Sequence, residues 1–167
     1  MHLFSKMVDA ADVPLHQHAL TLLSPVTGRV LPIESAVDPL CRERLFGDGV
    51  VIEPSGFQLF SPLDAVVTAR PVSGEIIKLR GKNGLQLAIQ LGMNGQNLVG
   101  LGIKHRVTLG DKVKAGQLIL EFDRIAMRQL VSDQVVFTLL NSDKVLAMQG
   151  HYFSVMAARD PAFTVYW

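Results

Sequence analysis

The sequence has a single cysteine, Cys41, so no disulfide can form within the chain. It also lacks an excess of charge, because 16 basic and 15 acidic residues leave a net charge of +1. This balance gives no electrostatic attraction for nucleic acid or for an anionic membrane. No apolar run approaches the ~20 residues of a transmembrane helix, and the first residues lack the basic start and unbroken apolar core of a signal peptide. These absences favour a cytoplasmic protein.

The composition is that of a folded domain. Hydrophobic residues make up 49% of the chain and charged residues 19%, which argues against disorder. A length of 167 residues suits one domain with a sizeable core. We predict a mobile N-terminal tail over residues 1–20, followed by a β-domain over residues 21–167.

Short runs rich in β-branched residues, separated by Gly, Pro, Asn and Asp, dominate the chain after residue 20. One run alternates large apolar residues with polar or small ones, as a strand with one buried face does: Leu85, Leu87, Ile89 and Leu91. Residues 38–46 and 124–130 are more typical of short helices, the second preceded by the good N-cap Asp123. The pattern predicts an all-β fold, an antiparallel β-sandwich or distorted barrel with short helices.

Two segments of the chain echo each other. Ser24-Pro25-Val26 and Ser61-Pro62-Leu63 both begin with Ser-Pro and lead through a turn into an apolar strand. Such an echo suits a fold built from two related β-units, although an echo this short also arises by chance.

Five motifs follow one another in an informative order. They are Gly47-Asp-Gly49, Ser61-Pro-Leu-Asp64, the segment from Gly84 to Asn94, Gly110-Asp-Lys-Val-Lys-Ala-Gly116 and Glu121-Phe-Asp123. Over residues 21–166 this combination resembles the glucose-type enzyme IIA (EIIA) domain of the bacterial sugar phosphotransferase system. The resemblance implies a fold like the family's duplicated hybrid motif. Gly-Asp-x-Val-x-x-Gly also occurs in biotin and lipoate carriers, but Lys144 lies in a different context from their modified lysine.

The resemblance implies a phosphorylation site whose histidines are replaced here. In the family, a histidine at the position of Gln90 carries the phosphoryl group, and a second histidine stands at the position of Glu75. A neutral imidazole nitrogen accepts phosphate because its lone pair is free, whereas the nitrogen lone pair of a carboxamide is delocalised. Asn94 replaces the family's usual acidic residue, and Ser73 keeps a hydroxyl near the site.

The family also binds its partners through an apolar rim around the histidines. The corresponding residues here are Cys41, Leu45, Phe46, Pro71 and Ala88, of which the last two replace aromatic residues. A rim without these aromatic anchors loses part of a typical binding hot spot. Leu45 and Phe46 could instead pack inward. The resemblance implies protein partners: the phosphocarrier HPr, enzyme IIB, or transporters and metabolic enzymes.

We therefore predict an EIIA-like protein that cannot carry phosphate and acts by protein binding, with no cofactor and no metal site. A phosphocarrier with a relocated acceptor, His105 or His151, is an alternative, and a structural or ligand-binding β-domain is another. Glu75 forming an acyl phosphate is a further, weaker option. His16 and His18 could hold a metal ion, but two ligands in a mobile tail make a weak site.

Overall fold

The structure is a computed structural model that describes residues 5–71, 75–93 and 102–167. Its strands, in chain order, are β1 Ala19–Leu23, β2 Gly28–Pro32, β3 Asp48–Pro54, β4 Gln58–Phe60, β5 Ala65–Ala69, β6 Ile76–Gly81, β7 Gln86–Met93, β8 Ile103–His105, β9 Lys112–Val113, β10 Leu118–Phe122, β11 Ser132–Leu139, β12 Ala147–Gly150, β13 Ser154–Val155 and β14 Pro161–Tyr166. Two short α-helices, α1 Pro39–Arg42 and α2 Arg124–Met127, follow the N-caps Asp38 and Asp123, and 3-10 turns lie at Ala10–Asp12, Ile33–Ser35 and Ser142–Lys144.

The strands form three antiparallel sheets. The largest has eight strands in the order β13-β2-β3-β11-β7-β6-β5-β9, and the two smaller sheets have the orders β1-β14-β12 and β4-β10-β8. The predicted all-β antiparallel fold with short helices is confirmed. The sheets remain open, with β13 and β9 as the edges of the large sheet, so the fold is not a closed barrel.

The two halves of the molecule repeat one pattern. Strands β13-β2-β3-β11 match β9-β5-β6-β7, and the small sheet β1-β14-β12 matches β4-β10-β8. The two Ser-Pro segments are equivalent in this arrangement, because Ser24 Oγ donates to the carbonyl of Val26 at 2.8 Å and Ser61 Oγ donates to that of Leu63 at 2.7 Å. Both serines are fully buried. The echo in the sequence therefore marks a structural duplication.

The main core lies between the large sheet and the small sheets. The alternation predicted for residues 85–91 is confirmed on β7 and the residue before it, because Leu85, Leu87, Ile89 and Leu91 are all buried in this core. Across the layers, the rings of Phe137 and Phe163 pack with centroids 4.8 Å apart. A second, smaller cluster contains Ile33, Ala36, Cys41, Val51 and Val136.

Residues 5–8 run beside β12. The amide of Lys6 donates to Asp48 Oδ2 at 2.7 Å, and its carbonyl accepts from the amide of Met148 at 2.7 Å. The amide of Val8 donates to the carbonyl of Met148 at 2.9 Å, and Met7 packs against the core. The predicted boundary of the N-terminal tail at residue 20 stays a prediction. Within that tail, residues 6–8 contact Asp48, Met148 and the main core.

Candidate functional site

The candidate site is built around Gln90, in the middle of β7. Strand β7 lies between β6 and β11 in the large sheet, and Gln90 is paired with Ile76 on one side and with Val136 on the other. The residues flanking Gln90 in sequence, Ile89 and Leu91, belong to the main core. Because successive side chains of a strand point to opposite faces, Gln90 points away from that core, towards the smaller cluster that contains Val136.

The carboxamide of Gln90 is held by three neighbours. Its Nε2 donates to Asp38 Oδ2 at 3.3 Å and to the carbonyl of Gly92 at 3.4 Å. Its Oε1 accepts a hydrogen bond from the thiol of Cys41 at 3.6 Å. Both polar ends of the amide therefore have partners, and the side chain is fixed between a strand and the segment that carries α1.

Asp38 serves two elements at once. Its Oδ1 accepts from the amide of Leu40 at 2.9 Å as the N-cap of α1, with Pro39 in the first turn. Its Oδ2 is then free to accept from Gln90. The preceding segment is tied to β11, because Gln134 accepts from the amide of Val37 at 2.9 Å and donates to the carbonyl of Ser35 at 3.0 Å.

Cys41 is a protonated hydrogen-bond donor in this site. The thiol is 2% exposed. Burial, and then the charge of Asp38 and a hydrogen bond with that carboxylate, raise the pKa of Cys41 from 9.0 to about 12. Because the thiolate is the nucleophile, a thiol with this pKa is unreactive near neutral pH. The protonated thiol therefore acts as the hydrogen-bond donor to Gln90 Oε1.

An ion-pair network supports the loop after α1. Arg44 has a left-handed backbone with φ of 59°, and its buried guanidinium bonds to Glu34 and, at 3.2 Å, to Asp48. Asp48 is 1% exposed and also accepts from the amide of Gly49 at 2.9 Å. The glycines of the Gly-Asp-Gly motif lie close to β11: a Cβ on Gly47 would meet the carbonyl oxygen of Leu139 at 2.1 Å.

The segment around α1, which supplies Asp38 and Cys41 to Gln90, presents an apolar surface. Four large apolar residues of this segment are exposed, at 45% for Val37, 47% for Leu40, 51% for Leu45 and 47% for Phe46. We call these four residues the α1 apolar surface. Leu45 and Phe46 do not pack inward. Of the other predicted rim residues, Pro71 is exposed and Ala88 is 7% exposed, so a binding role for Ala88 stays a prediction with little surface to support it.

Glu75 directly precedes β6, the strand beside β7, and lies opposite Leu91. Its carbonyl accepts from the amide of Leu91 at 2.7 Å, directly before the Ile76–Gln90 pair. One carboxylate oxygen, Oε2, is buried without a hydrogen-bond donor among the described residues. Unlike an imidazole N–H, an ionised carboxylate at this position has no hydrogen to donate to a phosphate oxygen. The predicted site residues Ser73 and Asn94 lie outside the described residues.

None of the histidines among the described residues lies in the large sheet that holds Gln90. His105 ends β8, next to β10. His151 follows β12, and its Nε2 is 2.9 Å from Thr164 Oγ1, while burial lowers the pKa of its imidazole. His16 and His18 stack on Tyr166 and Trp167. Within residues 5–71, 75–93 and 102–167, no group of three metal-ligating side chains comes together.

Asp38 was not predicted as a residue of the site. Its position before Pro39 is a helix-start signal, so the cap on α1 was available from the sequence. The bond to Gln90 spans 52 residues, and no local pattern predicts a contact of that range.

Comparison with known proteins places this site in a family. The model of the family described as "phosphoenolpyruvate-dependent sugar phosphotransferase system, EIIA 1" matches residues 20–145. The glucose-specific EIIA component of Bacillus cereus is 31% identical over 124 residues, which are 74% of this chain and 75% of that protein. The glucose-specific EIIA component of Oceanobacillus iheyensis is 28% identical over 127 residues, 75% of this chain and 77% of that protein.

Two further similarities concern a longer protein and a solved structure. A lactose permease of Lactobacillus delbrueckii subsp. bulgaricus is 31% identical over 156 residues, 90% of this chain but only 25% of the permease. The structure of glucose permease IIA from Mycoplasma capricolum superposes with a TM-score of 0.79 and 20% identity, covering 89% of this chain and 96% of that one. At that identity the match supports the fold alone.

Proposed function

Since this chain belongs to the EIIA 1 family of the sugar phosphotransferase system, we propose that it is a member that does not carry phosphate and acts by binding proteins. One observation carries the proposal. Gln90, at the position where the family resemblance places the phosphoryl acceptor, has both ends of its carboxamide engaged by Asp38, Gly92 and Cys41. We also propose that it works in the cytoplasm. Among the described residues, no helix is both long and apolar enough to cross a membrane.

The chemistry of the side chains near Gln90 supports the absence of phosphotransfer. A carboxamide nitrogen is not a nucleophile under these conditions, because its lone pair is delocalised into the carbonyl. The thiol of Cys41, with a pKa of about 12, is not ionised at neutral pH. The carboxylate of Asp38, which accepts from Gln90, adds negative charge that would repel a phosphoryl donor.

The α1 apolar surface supports a binding role. Its four residues are about half exposed and lie within residues 37–46, the segment that supplies Asp38 and Cys41 to Gln90. Exposed apolar residues grouped beside polar ones are typical of protein interfaces. The partners that the family implies are HPr, enzyme IIB, and transporters or metabolic enzymes, and a protein locked without phosphate would present one fixed state to them.

Incubation with phosphorylated HPr, followed by intact-mass measurement, tests the chemistry. We expect no added phosphoryl group on this protein, whereas a glucose-specific EIIA that retains its histidine, run in parallel, gains one. An acid-labile phosphate that maps to His105 or His151 would establish the relocated acceptor instead. A hydroxylamine-labile phosphate on Glu75 would establish an acyl phosphate.

A pair of double variants tests the binding role. L45S/F46S removes half of the α1 apolar surface, and L146S/F153S removes a leucine and a phenylalanine of similar exposure, 53% and 69%, elsewhere. In titrations of unphosphorylated HPr followed by NMR, we expect L45S/F46S to weaken binding about tenfold or more, as loss of an interface anchor does. L146S/F153S should bind like the wild type. Equal binding by all three proteins would contradict the proposed surface.

A further inference from the structure

A second concave surface lies at the β9 edge of the large sheet, where β9 is three strands away from β7. It encloses about 470 Å³. Its lining side chains come from β5, β6 and β9 and from the residues next to these strands: Asp64, Val66, Arg80, Lys82, Lys112 and Lys114. We call it the β9 cleft. Four of the six are cations, and all four are exposed.

Strand register brings these cations together. Val66 is paired with Arg80 on β6 and with Lys112 on β9, so the two cations stand on the same face on either side of Val66. Neighbouring strands are about 4.8 Å apart, which places Arg80 and Lys112 roughly 10 Å from each other. Lys82 and Lys114 each follow two residues later, beside Asp64. The four cations thus frame one cleft instead of being scattered over a surface.

The charge of the cleft is largely uncompensated. Asp64 is its one carboxylate; it accepts from the amide of Ala115 at 2.9 Å and lies 3.6 Å from Lys114 Nζ. The amide of Ala115, and then the nearby lysines, hold the pKa of Asp64 below its usual value. In residues 5–71, 75–93 and 102–167, no ion pair engages Arg80, Lys82 or Lys112. Four cations and one carboxylate leave a net charge of +3.

The duplicated fold contains an internal comparison. The equivalent cleft, at the β13 edge, encloses about 510 Å³ and is lined by Thr27, Arg29, Glu53, Ser55, Ser154 and Met156 among others. The pairing is the same, because Arg29 is paired with Glu53 and with Ser154. The hydrogen bond from the amide of Ala115 to Asp64 also has a counterpart here, because Thr27 Oγ1 accepts from the amide of Ala157 at 3.0 Å. This cleft carries one cation and one carboxylate. The duplicated fold therefore produces this cleft twice, and the copy at the β13 edge shows that the cleft forms without four cations.

We propose that the β9 cleft binds a small organic polyphosphate, a ligand with two or more phosphate groups on an apolar or planar body. The roughly 10 Å between Arg80 and Lys112 suits a di- or triphosphate. The floor, formed by Val66 and the backbone of Gly81, offers the body an apolar contact. A concave site of this volume admits a small molecule. Since the cations are exposed, binding weakens as salt rises. This site is separate from Gln90 and from the proposed binding of proteins.

Calorimetric titration of the full chain with ATP as the probe tests the site. R80Q/K112Q removes the two cations that flank Val66, and R128Q/K144Q removes one exposed arginine and one exposed lysine from elsewhere. We expect the wild type to bind ATP at low salt, R80Q/K112Q to bind about tenfold more weakly or worse, and R128Q/K144Q to match the wild type. An equal loss in both double variants, or no binding by the wild type, would overturn the proposal. All three proteins should melt at the same temperature.

Two further probes separate the sources of phosphate. Inorganic tripolyphosphate carries the charge of ATP without its organic body. If the wild type binds tripolyphosphate more weakly than ATP, the proposal is supported. If it binds both equally, the apolar floor has no part in binding and the proposal of an organic ligand is overturned. Vesicles of phosphatidylglycerol present phosphate on a lipid surface. Sedimentation with these vesicles that is lost in R80Q/K112Q, without any binding of ATP, would assign the cations to a membrane and overturn the proposal.

Discussion

The thiol of Cys41 donates a hydrogen bond to Oε1 of Gln90 across 3.6 Å, and so joins α1 to the centre of the large sheet. The carboxylate of Asp38, which accepts from Gln90, lies close enough to contribute to the raised pKa of that thiol. The three side chains form a closed polar cluster at the edge of an apolar one. Two predictions follow from its chemistry.

Protonation of Cys41 should make stability fall with alkaline pH. The pKa of this thiol is raised from 9.0 to about 12 in the folded state. Its contribution to stability is therefore complete below pH 9 and is lost as pH rises towards 12, because the unfolded chain releases the proton first. Urea unfolding of the wild type and of C41A across this range measures the effect. The difference between the two proteins should shrink as pH rises; a constant difference would contradict the raised pKa.

Asp38 should contribute more to stability than an ordinary N-cap. D38A removes the cap of α1 and the acceptor of Gln90, whereas D123A removes only the cap of α2. Loss of a cap costs about 1 kcal/mol. We expect D123A to show about that loss in urea unfolding, and D38A to exceed it by roughly 1 kcal/mol because the amide of Gln90 loses an acceptor. Equal losses would show that the bond to Gln90 adds nothing.

Gly47 should tolerate no side chain. In G47A, the new Cβ would lie 2.1 Å from the carbonyl oxygen of Leu139, at a residue with φ of 97°. G110A is the control, since Gly110 has a similar φ of 89° but nothing within 4 Å of the added atom. Backbone strain alone costs about 1–2 kcal/mol, so G110A should lose about that much and G47A clearly more. Thermal unfolding of both variants provides the measurement.

The buried serines of the two halves should be energetically equivalent. S24A and S61A each delete a hydroxyl that donates to a carbonyl two residues later, at 2.8 Å and 2.7 Å. Each should lower the free energy of unfolding by about 1–3 kcal/mol, the cost of an unpaired buried acceptor. S55A removes an exposed hydroxyl with only a 3.5 Å contact and should change little. Markedly unequal effects of S24A and S61A would argue against the structural duplication.

Removal of the first eight residues should destabilise the domain. The deletion takes away the bonds from Lys6 and Val8 to Met148 and leaves the buried Asp48 with fewer donors. If these residues had no structural role, their deletion would leave the melting temperature unchanged. With these contacts, we expect a fall of several degrees in a scanning calorimeter, since about 1 kcal/mol shifts a domain of this size by about 2–4 °C. A deletion of residues 1–4 is the matched control.

The features that the sequence predicted are those with a local cause. The alternation from Leu85 to Leu91 depends only on the period of a strand, and the cap at Asp123 only on the residues that follow it. The helix predicted over residues 124–130 ends earlier, at Met127, because helix ends depend on packing as well as on propensity.

Features that join distant segments could not be predicted in the same way. The position of Gln90 on its strand followed from the family resemblance, but its bonds to Asp38 and Cys41 depend on how α1 packs on the sheet. The β9 cleft depends on the pairing of β5 with both β6 and β9. In the sequence, Arg80 and Lys112 are 32 residues apart and carry no common motif.

The duplication also constrains the order in which the chain can fold during synthesis. One half, from β4 to β10, is continuous, whereas the other is divided between β1–β3 and β11–β14. The inner half can therefore complete its small sheet as soon as residue 122 has left the ribosome. Strand β1, the first to emerge, pairs with β14, the last. Until residues 161–166 are free, the apolar face of β1 has no native partner, and this interval is when the nascent protein is most exposed to aggregation.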